Sequence, residues 1–255
     1  MLSQSSRPGK LTTPLGQDVL CLVEFDSDEG LSQLFEFDVL AVSEDGDLDL
    51  DRLLGCAAHI ELDCREVGKR NYHGLILEAE FERLEEGLYY YRLRLRPWTY
   101  LLGKTTDCRI HHDKTVIDII RETLSRRGFP DYRLATIESY PTLHYTVQYR
   151  ETDLNFICRL MEQHGIYFFF EHSAGRHVLV FADSASAHQP APGQESVDFN
   201  PHMSPDLKES QATIYSWRHL RKLRSGKFEL NDYYHMTPNT RLTGDRNASE
   251  HYAIA

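Results

Sequence analysis

What this 255-residue chain lacks narrows it first. No stretch approaches the ~20 consecutive apolar residues that a membrane-spanning helix needs. The opening MLSQSSRPGKLTTPLG has no apolar run of the kind an export signal carries. Positive charge is short: 28 Lys and Arg stand against 39 Asp and Glu, a formal charge of -11. The electrostatic attraction that dominates binding to nucleic acid and anionic membranes is therefore missing overall. Cysteine is sparse and unpatterned. Cys21, Cys56, Cys64, Cys108 and Cys158 include no CxxC pair and are odd in number, which suits thiols kept reduced in a cytosol. These absences lead us to expect a soluble protein, folded in the cytoplasm, without a signal peptide.

Catalytic signatures are missing as well. There is no HExxH, P-loop, GxGxxG or GxSxG. Thirteen histidines invite a metal reading, but His111 and His112 are adjacent, which on a strand sends them to opposite faces, and no tight ligand spacing accompanies them. His164, His172 and His177 fall near one another across a helix and a hairpin, and are expected as polar caps and solvated turn residues. Glu78 with Glu80, and Glu85 with Glu86, read as a solvated edge, because a general acid needs burial or a close like charge to raise its pKa. No residue is assigned a catalytic, cofactor-binding or metal-binding role, no cofactor is expected, and the chain is not expected to be an enzyme. Arg218, Arg221, Lys222, Arg224 and Lys227 cluster near Trp217. A basic groove with a stacking aromatic could hold single-stranded nucleic acid, but the acidic balance favours a polar strand face that meets acidic surfaces of the same assembly.

Strand patterns fill the first hundred residues. VLCLVEFD, LFEFDVLAVS, AAHIELDC, RNYHGLILEAEFERL and LYYYRLRLRP are rich in β-formers and separated by turn signals, which argues a small β-barrel or sandwich. In the last of them Tyr91, Leu93 and Leu95 share one face and Arg92, Arg94 and Arg96 the other. SEDGDLDLDRLLG reads as an acidic loop leading into a short helical turn.

From about residue 105 the period changes. Thr115 is placed to cap a helix through Val116, Ile117, Ile120 and Leu124 that stops at Gly128 and Pro130. Thr152 or Asp153 caps a second, with Leu154, Ile157, Cys158, Leu160 and Met161 on one face and Gly165 at its end. IYFFFEH, a turn at SAGR, and HVLVFAD predict a hairpin. SASAHQPAPGQES, residues 184–196, reads as a linker. Strand-like material follows and stops at EHYAIA without a closing element, which suggests part of a longer protein.

In this order LFEFDVLAVS, YHGLILEAEF, YYYRLRLRPWTYLLGKTTDCRIHHDKTVIDII and QYRETDLNFICRLMEQHGIYFFFEH resemble the N-terminal hub region of VgrG proteins, at the tip of type VI secretion systems, and the hub proteins of contractile phage tails. The resemblance covers roughly residues 15–183 and continues more weakly to 255; RETDLNFICRLMEQHGI is its most specific block. It implies a mainly β chain with an α+β insert: two small tube-type β-barrels plus an inserted helix-bearing unit. The bounds expected are a flexible leader over 1–14, a first barrel over 15–104, the α+β unit over 105–183, the linker over 184–196, and a second barrel over 197–255 that is incomplete or completed by strands from elsewhere. It also implies a structural hub that joins a hexameric inner tube to a trimeric spike and helps effector delivery.

The partners implied are two further copies of the chain in the full-length protein, a hexameric Hcp-like tube protein, baseplate components, and effectors or a spike-tip protein. Nucleic acid is not among them. A target membrane is met only through a spike that these residues do not contain, and without it the fragment is expected to be monomeric. The assembly is expected to form in the bacterial cytoplasm and to be delivered outside by the machine. Two alternatives from the residues alone remain: a carbohydrate- or peptidoglycan-active enzyme, suggested by scattered carboxylates and histidines, and a β-rich effector-binding module.

Overall fold

The strand Leu88–Arg96 buries Tyr91, Leu93 and Leu95 and turns Arg92, Arg94 and Arg96 outward, the period of two that its sequence announces. It belongs to a computed structural model that describes residues 2–64, 68–189 and, in shorter runs, 196–201, 213–214, 216–222, 225–234 and 236–247. With β1 (Gly9–Thr12), β2 (Cys21–Asp28), β3 (Glu36–Ser43), β4 (Ala57–Asp63) and β5 (Lys69–Glu85), it forms as β6 a six-stranded antiparallel sheet in the order β1-β4-β5-β6-β3-β2.

The sheet curls. Register shifts at Leu22/Glu24, Ile76/Glu78 and Phe81/Arg83 place an extra residue in one strand and bend it. Gly74 admits the close approach on the concave side: a Cβ there would meet Leu95 Cβ at 3.0 Å and Phe35 at 3.2 Å. Phe35, Phe37, Val39, Ile60, Ile76, Tyr91, Leu93 and Leu95 fill the concavity. β1 and β2, the outermost strands, are joined by a side chain instead of a backbone ladder. Gln4 Oε1 accepts from Leu11 N at 2.7 Å and Leu22 N at 2.9 Å, while its Nε2 donates to Leu11 O at 3.0 Å. Arg7 donates to Leu22 O at 3.2 Å.

This corrects the expectation of a flexible leader over 1–14 and a first barrel that begins at 15. Gln4 is 4% exposed and β1 lies inside the supposed leader. A four-residue strand and a single amide carry no periodic signal, since their partners are edges distant in sequence.

The insert is built from β7 (Thr106–Lys114), α1 (Val116–Arg126), β8 (Tyr132–Ala135), β9 (Leu143–Thr152), α2 (Asp153–Gln163), β10 (Tyr167–Ser173) and β11 (Arg176–Ala182). A short 3-10 helix, Trp98–Lys104, leads into it from β6. Thr115 and Asp118 exchange side-chain bonds with each other's backbone amides, a capping box at the start of α1. Thr152 caps α2 by accepting from Asn155 N, which decides between the two candidates the sequence left open. Gly165, with φ +69, lets the chain leave α2 for β10. The buried faces, Val116, Ile119, Ile120 and Leu124 against Phe156, Ile157, Leu160 and Met161, pack with Trp98, Phe168 and Phe181 into a second core. β10 and β11 form the predicted hairpin, and β8 adds parallel to β11; β7 and β9 pair as a two-stranded antiparallel ribbon.

A second unit begins at Asp198. There β12 (Asp198–Phe199) pairs in parallel with β13 (Thr213–Ile214), and β14 (Lys227–Asp232) pairs antiparallel with β15 (Leu242–Asn247). Of the second barrel expected over 197–255, these two pairs are what the described residues show; a closed barrel is not among them. Of the linker, residues 190–195 lie outside the described residues, while Ala185–Ala187 forms a 3-10 turn.

Gln4→Ala would strand three polar groups at the closure between β1 and β2, a loss of at least about 3 kcal/mol at roughly 1–3 kcal/mol for each unsatisfied group. Thermal unfolding should report it as a drop of ~5–15 °C. A shift under about 2 °C would mean that the amide does not hold the sheet closed.

Candidate assembly surface

Three features position the surfaces this fold can offer. The first is an ion lattice on the outward face of the sheet. Arg92 and Arg94 of β6 lie between carboxylates of both neighbouring strands and Arg96 meets one: Arg92 donates to Glu82 at 2.7 Å and pairs with Asp38, Arg94 pairs with Glu78 at 3.3 Å and Asp38 at 3.9 Å, and Arg96 pairs with Glu36. Cross-strand register sets this pattern, with Arg94 opposite both Asp38 and Glu78. Three guanidinium groups meet four carboxylates, so the lattice offsets most of its own charge on the convex polar face.

The second is the clamp at Asp153. Its carboxylate has no exposure and sits at the first turn of α2, where it accepts from Arg127 Nε at 2.6 Å, Arg126 at 3.1 Å, Gln148 Nε2 at 2.8 Å and Thr105 Oγ1 at 3.2 Å. Burial pushes this carboxyl up, but the bonds from Gln148 and Arg127 and the two guanidinium charges outweigh it, so the net shift is downward. One anion thus ties the end of α1, the start of α2, and β9 together.

The third is the seam where the hairpin packs across the concave sheet. His73 on β5 and His177 on β11 face each other with Nδ1 to Nδ1 at 2.9 Å; His172 Nδ1 accepts from His73 N at 3.2 Å, and His177 Nε2 accepts from Trp98 N at 3.1 Å. Glu29 Oε1 lies 3.0 Å from His172 Nε2. Burial pushes His177 down to about 3, aided by the charges of His73 and His172. His73 is lowered by burial first and then by the charges of His59 and His172, with Asp131 opposing. Phe35 packs edge-on against His172 and His177, and against Phe170.

Outside these, the β7–β9 ribbon turns Ile110, Tyr145 and Tyr149 to solvent, 55%, 59% and 65% exposed. Neither outer edge of the ribbon pairs with a further strand among the described residues, although side chains engage Val147 O and Cys108 N.

The sequence candidates fall as follows. His111 is buried and stacks on Phe156, while His112 is exposed, the alternation expected of a strand. His164 follows α2 as its C-cap. His172 and His177 are corrected: His177 is buried and the His172 side chain is 8% exposed, so they are partners in the seam and not solvated turn residues, because the hairpin that carries them is laid face down on the sheet. His73, which local patterning does not single out, completes their network. Glu78 and Glu85 are exposed and pair with Arg94 and Arg83; Glu80 and Glu86 are exposed. Trp217, Arg218, Arg221 and Lys222 are exposed, Lys227 pairs with Asp245 at 3.0 Å, and Arg224 lies outside the described residues. No group of His, Cys, Asp and Glu suited to holding a metal ion occurs among the described residues.

Residues 28–254 match the family described as phage tail baseplate hub (GPD). This chain belongs to the phage tail baseplate hub family. As a hub protein it is 37% identical, over its whole length, to the type VI secretion system spike protein VgrG1b of Pseudomonas aeruginosa and 36% identical to VgrG1c of the same organism. It covers 34% and 35% of those proteins, so it spans about a third of their length. Among solved structures, it superposes with a TM-score of 0.65 and 26% identity on the E. coli c3393 protein, described as a type VI secretion component similar in structure to the phage T4 tail proteins gp27 and gp5. That match covers 71% of this chain and 50% of the other. A Francisella PdpA–VgrG complex shares the fold, with a TM-score of 0.54 and 13% identity over 91% of this chain and 37% of that one. The hub fold, mainly β with few helices, is the one the sequence resemblance implies.

Asp153→Ala should cost the hub unit about 3–5 kcal/mol, since it leaves two guanidinium groups and Gln148 facing an empty position. Urea unfolding followed by circular dichroism would show the midpoint shift. A loss below about 1 kcal/mol would reduce the clamp to a surface ion pair.

Proposed function

We propose that this chain is the hub portion of a type VI secretion tip, a structural adaptor between a hexameric inner tube and a trimeric spike. The observation that carries this is the match along the entire chain to VgrG spike proteins, together with the hub family match over residues 28–254. Physical features support it. The curled sheet presents a polar face of paired charges, and the ribbon presents exposed aromatic and aliphatic side chains beside edges that pair with no further strand among the described residues. Both suit repeated contact with protein neighbours more than turnover of a small substrate.

In this reading the sheet and the second unit contribute to a pseudo-six-fold ring when three copies assemble, and the insert of β7 to β11 decorates it. The partners are two further copies of the chain, a hexameric tube protein, baseplate components, and effectors carried on the tip. The chain itself is not an enzyme in this reading: the buried Asp153 carboxylate is held by two arginines, and the buried His73 and His177 are bonded to each other. The assembly forms in the bacterial cytoplasm and leaves by the machine it belongs to.

Analytical ultracentrifugation should find this chain monomeric by itself and trimeric once it is fused to the C-terminal portion of a spike relative. The trimer should bind rings of the hexameric tube protein one to one. A trimer that ignores those rings, or release of soluble fragments from peptidoglycan by the chain, would overturn the assignment.

A further inference from the structure

Donor and acceptor roles at the histidine seam are fixed by the two backbone amides in it. A peptide N–H can only donate, so His177 Nε2, which receives Trp98 N, carries no proton; in the neutral ring the proton is on Nδ1. His177 Nδ1–H then donates across 2.9 Å to His73 Nδ1, which places the His73 proton on Nε2. His172 Nδ1 receives His73 N and is likewise unprotonated, so its proton sits on Nε2, toward Glu29. The basic nitrogen of every ring is already filled by a donor. Four contacts result, and each one crosses from the sheet side, with β5, the start of the 3-10 helix and the loop carrying Glu29, to the hairpin β10–β11.

We propose that these three histidines make the junction of sheet and insert a pH-gated latch: neutral rings join the two, and each proton taken up displaces one of the amide or imidazole donors that hold the junction shut. A proton on His177 Nε2 expels Trp98 N, one on His73 Nδ1 opposes His177 Nδ1–H, and one on His172 Nδ1 expels His73 N. The pair His73–His177 cannot relieve this by exchanging roles, because reversing the shared bond would leave His177 with two acceptor nitrogens. The other titratable groups facing the cluster are His59 on β4, Tyr72 on β5, Asp131 ahead of β8, and Glu29. His59 is engaged with Asn71 at 2.9 Å, and Glu29 can hold a protonated His172 as an ion pair once His73 N has left.

Burial acts in the same direction. His73 and His177 titrate below the ordinary histidine value in the closed state, His177 down to about 3. The open state binds more protons between there and ~6.5, so the closed state is fully favoured above ~6.5 and loses ground as the pH falls. The logic belongs to the seam alone and is independent of the assembly the hub enters.

The test is hydrogen exchange on the full chain from pH 7 to 5, a range in which most carboxylates stay ionised, with rates corrected for the intrinsic pH dependence of exchange. Protection of the Trp98 and His73 amides should fall by roughly tenfold per pH unit for each histidine that charges. Amides within the sheet, such as Leu93, should fall less. Histidine nitrogen shifts recorded by NMR on the same sample should show the Nδ1–H form of His177 at pH 7. Equal protection of seam and sheet amides across that range, or an Nε2–H form of His177, would overturn the latch. His177→Gln and His172→Asn each keep an acceptor for one amide without a titrating ring. Each should flatten the pH dependence, and an undiminished dependence in both would equally overturn it. If neither variant folds, the wild-type exchange and tautomer measurements decide alone.

Discussion

Phe170 packs against both hydrophobic cores, and the rest of the structure depends on the contact it makes. A curled sheet with an apolar concave face must have that face filled. Here the filling comes from the hairpin of the insert, which has Phe168 and Phe170 on one side. Phe35, Phe37 and Phe170 with His172 and His177 form one continuous aromatic layer. Apolar burial provides most of the stabilisation, at ~25 cal/mol per Å² removed from water. The imidazoles are tolerated within it because His73 Nδ1, His172 Nδ1 and both nitrogens of His177 each meet a donor or an acceptor.

That arrangement explains the division of labour along the chain. The helices are specified locally, by capping residues and apolar faces, and then fixed by one buried anion that pairs with two helix-terminal arginines. The sheet is specified by alternation, with apolar residues inward and a lattice of opposed charges outward. The junction is specified by neither device. It requires that β5 and the hairpin, about a hundred residues apart, present complementary aromatic and imidazole surfaces.

What was legible in the sequence follows the same division. Tyr91, Leu93 and Leu95 against Arg92, Arg94 and Arg96 gave the facing of β6, and Thr115, Gly128 and Gly165, with Thr152 or Asp153 left open, gave the limits of both helices. The block RETDLNFICRLMEQHGI led to the family. Gln4 and His73 could not be found in this way, because an amide in a polar leader and one histidine in a strand acquire meaning only from partners 7 to 104 residues distant. The same reason misplaced His172 and His177: a turn between strands is usually wet, and only the packing of the hairpin shows that this one lies on another sheet. Exposed features such as the Arg218 cluster looked chemical because charge is conspicuous in sequence, whereas burial is not.

The clasp at Gln4 has a bearing on the order in which the fold is made. Its bonds span 7 and 18 residues, as local as the hairpins β2–β3, β4–β5 and β5–β6, while the ladders that attach β1 to β4 and β3 to β6 join residues about fifty apart, such as Thr12 with His59 and Phe37 with Leu95. Short loops close with less entropy loss than long ones. A chain emerging from its N-terminus therefore has the means to bring its two outermost strands together while the four between them are unmade. The local hairpins among β2 to β6 can then close onto a rim already tied by one amide, which limits how far β1 and β2 splay before β4 reaches its partner.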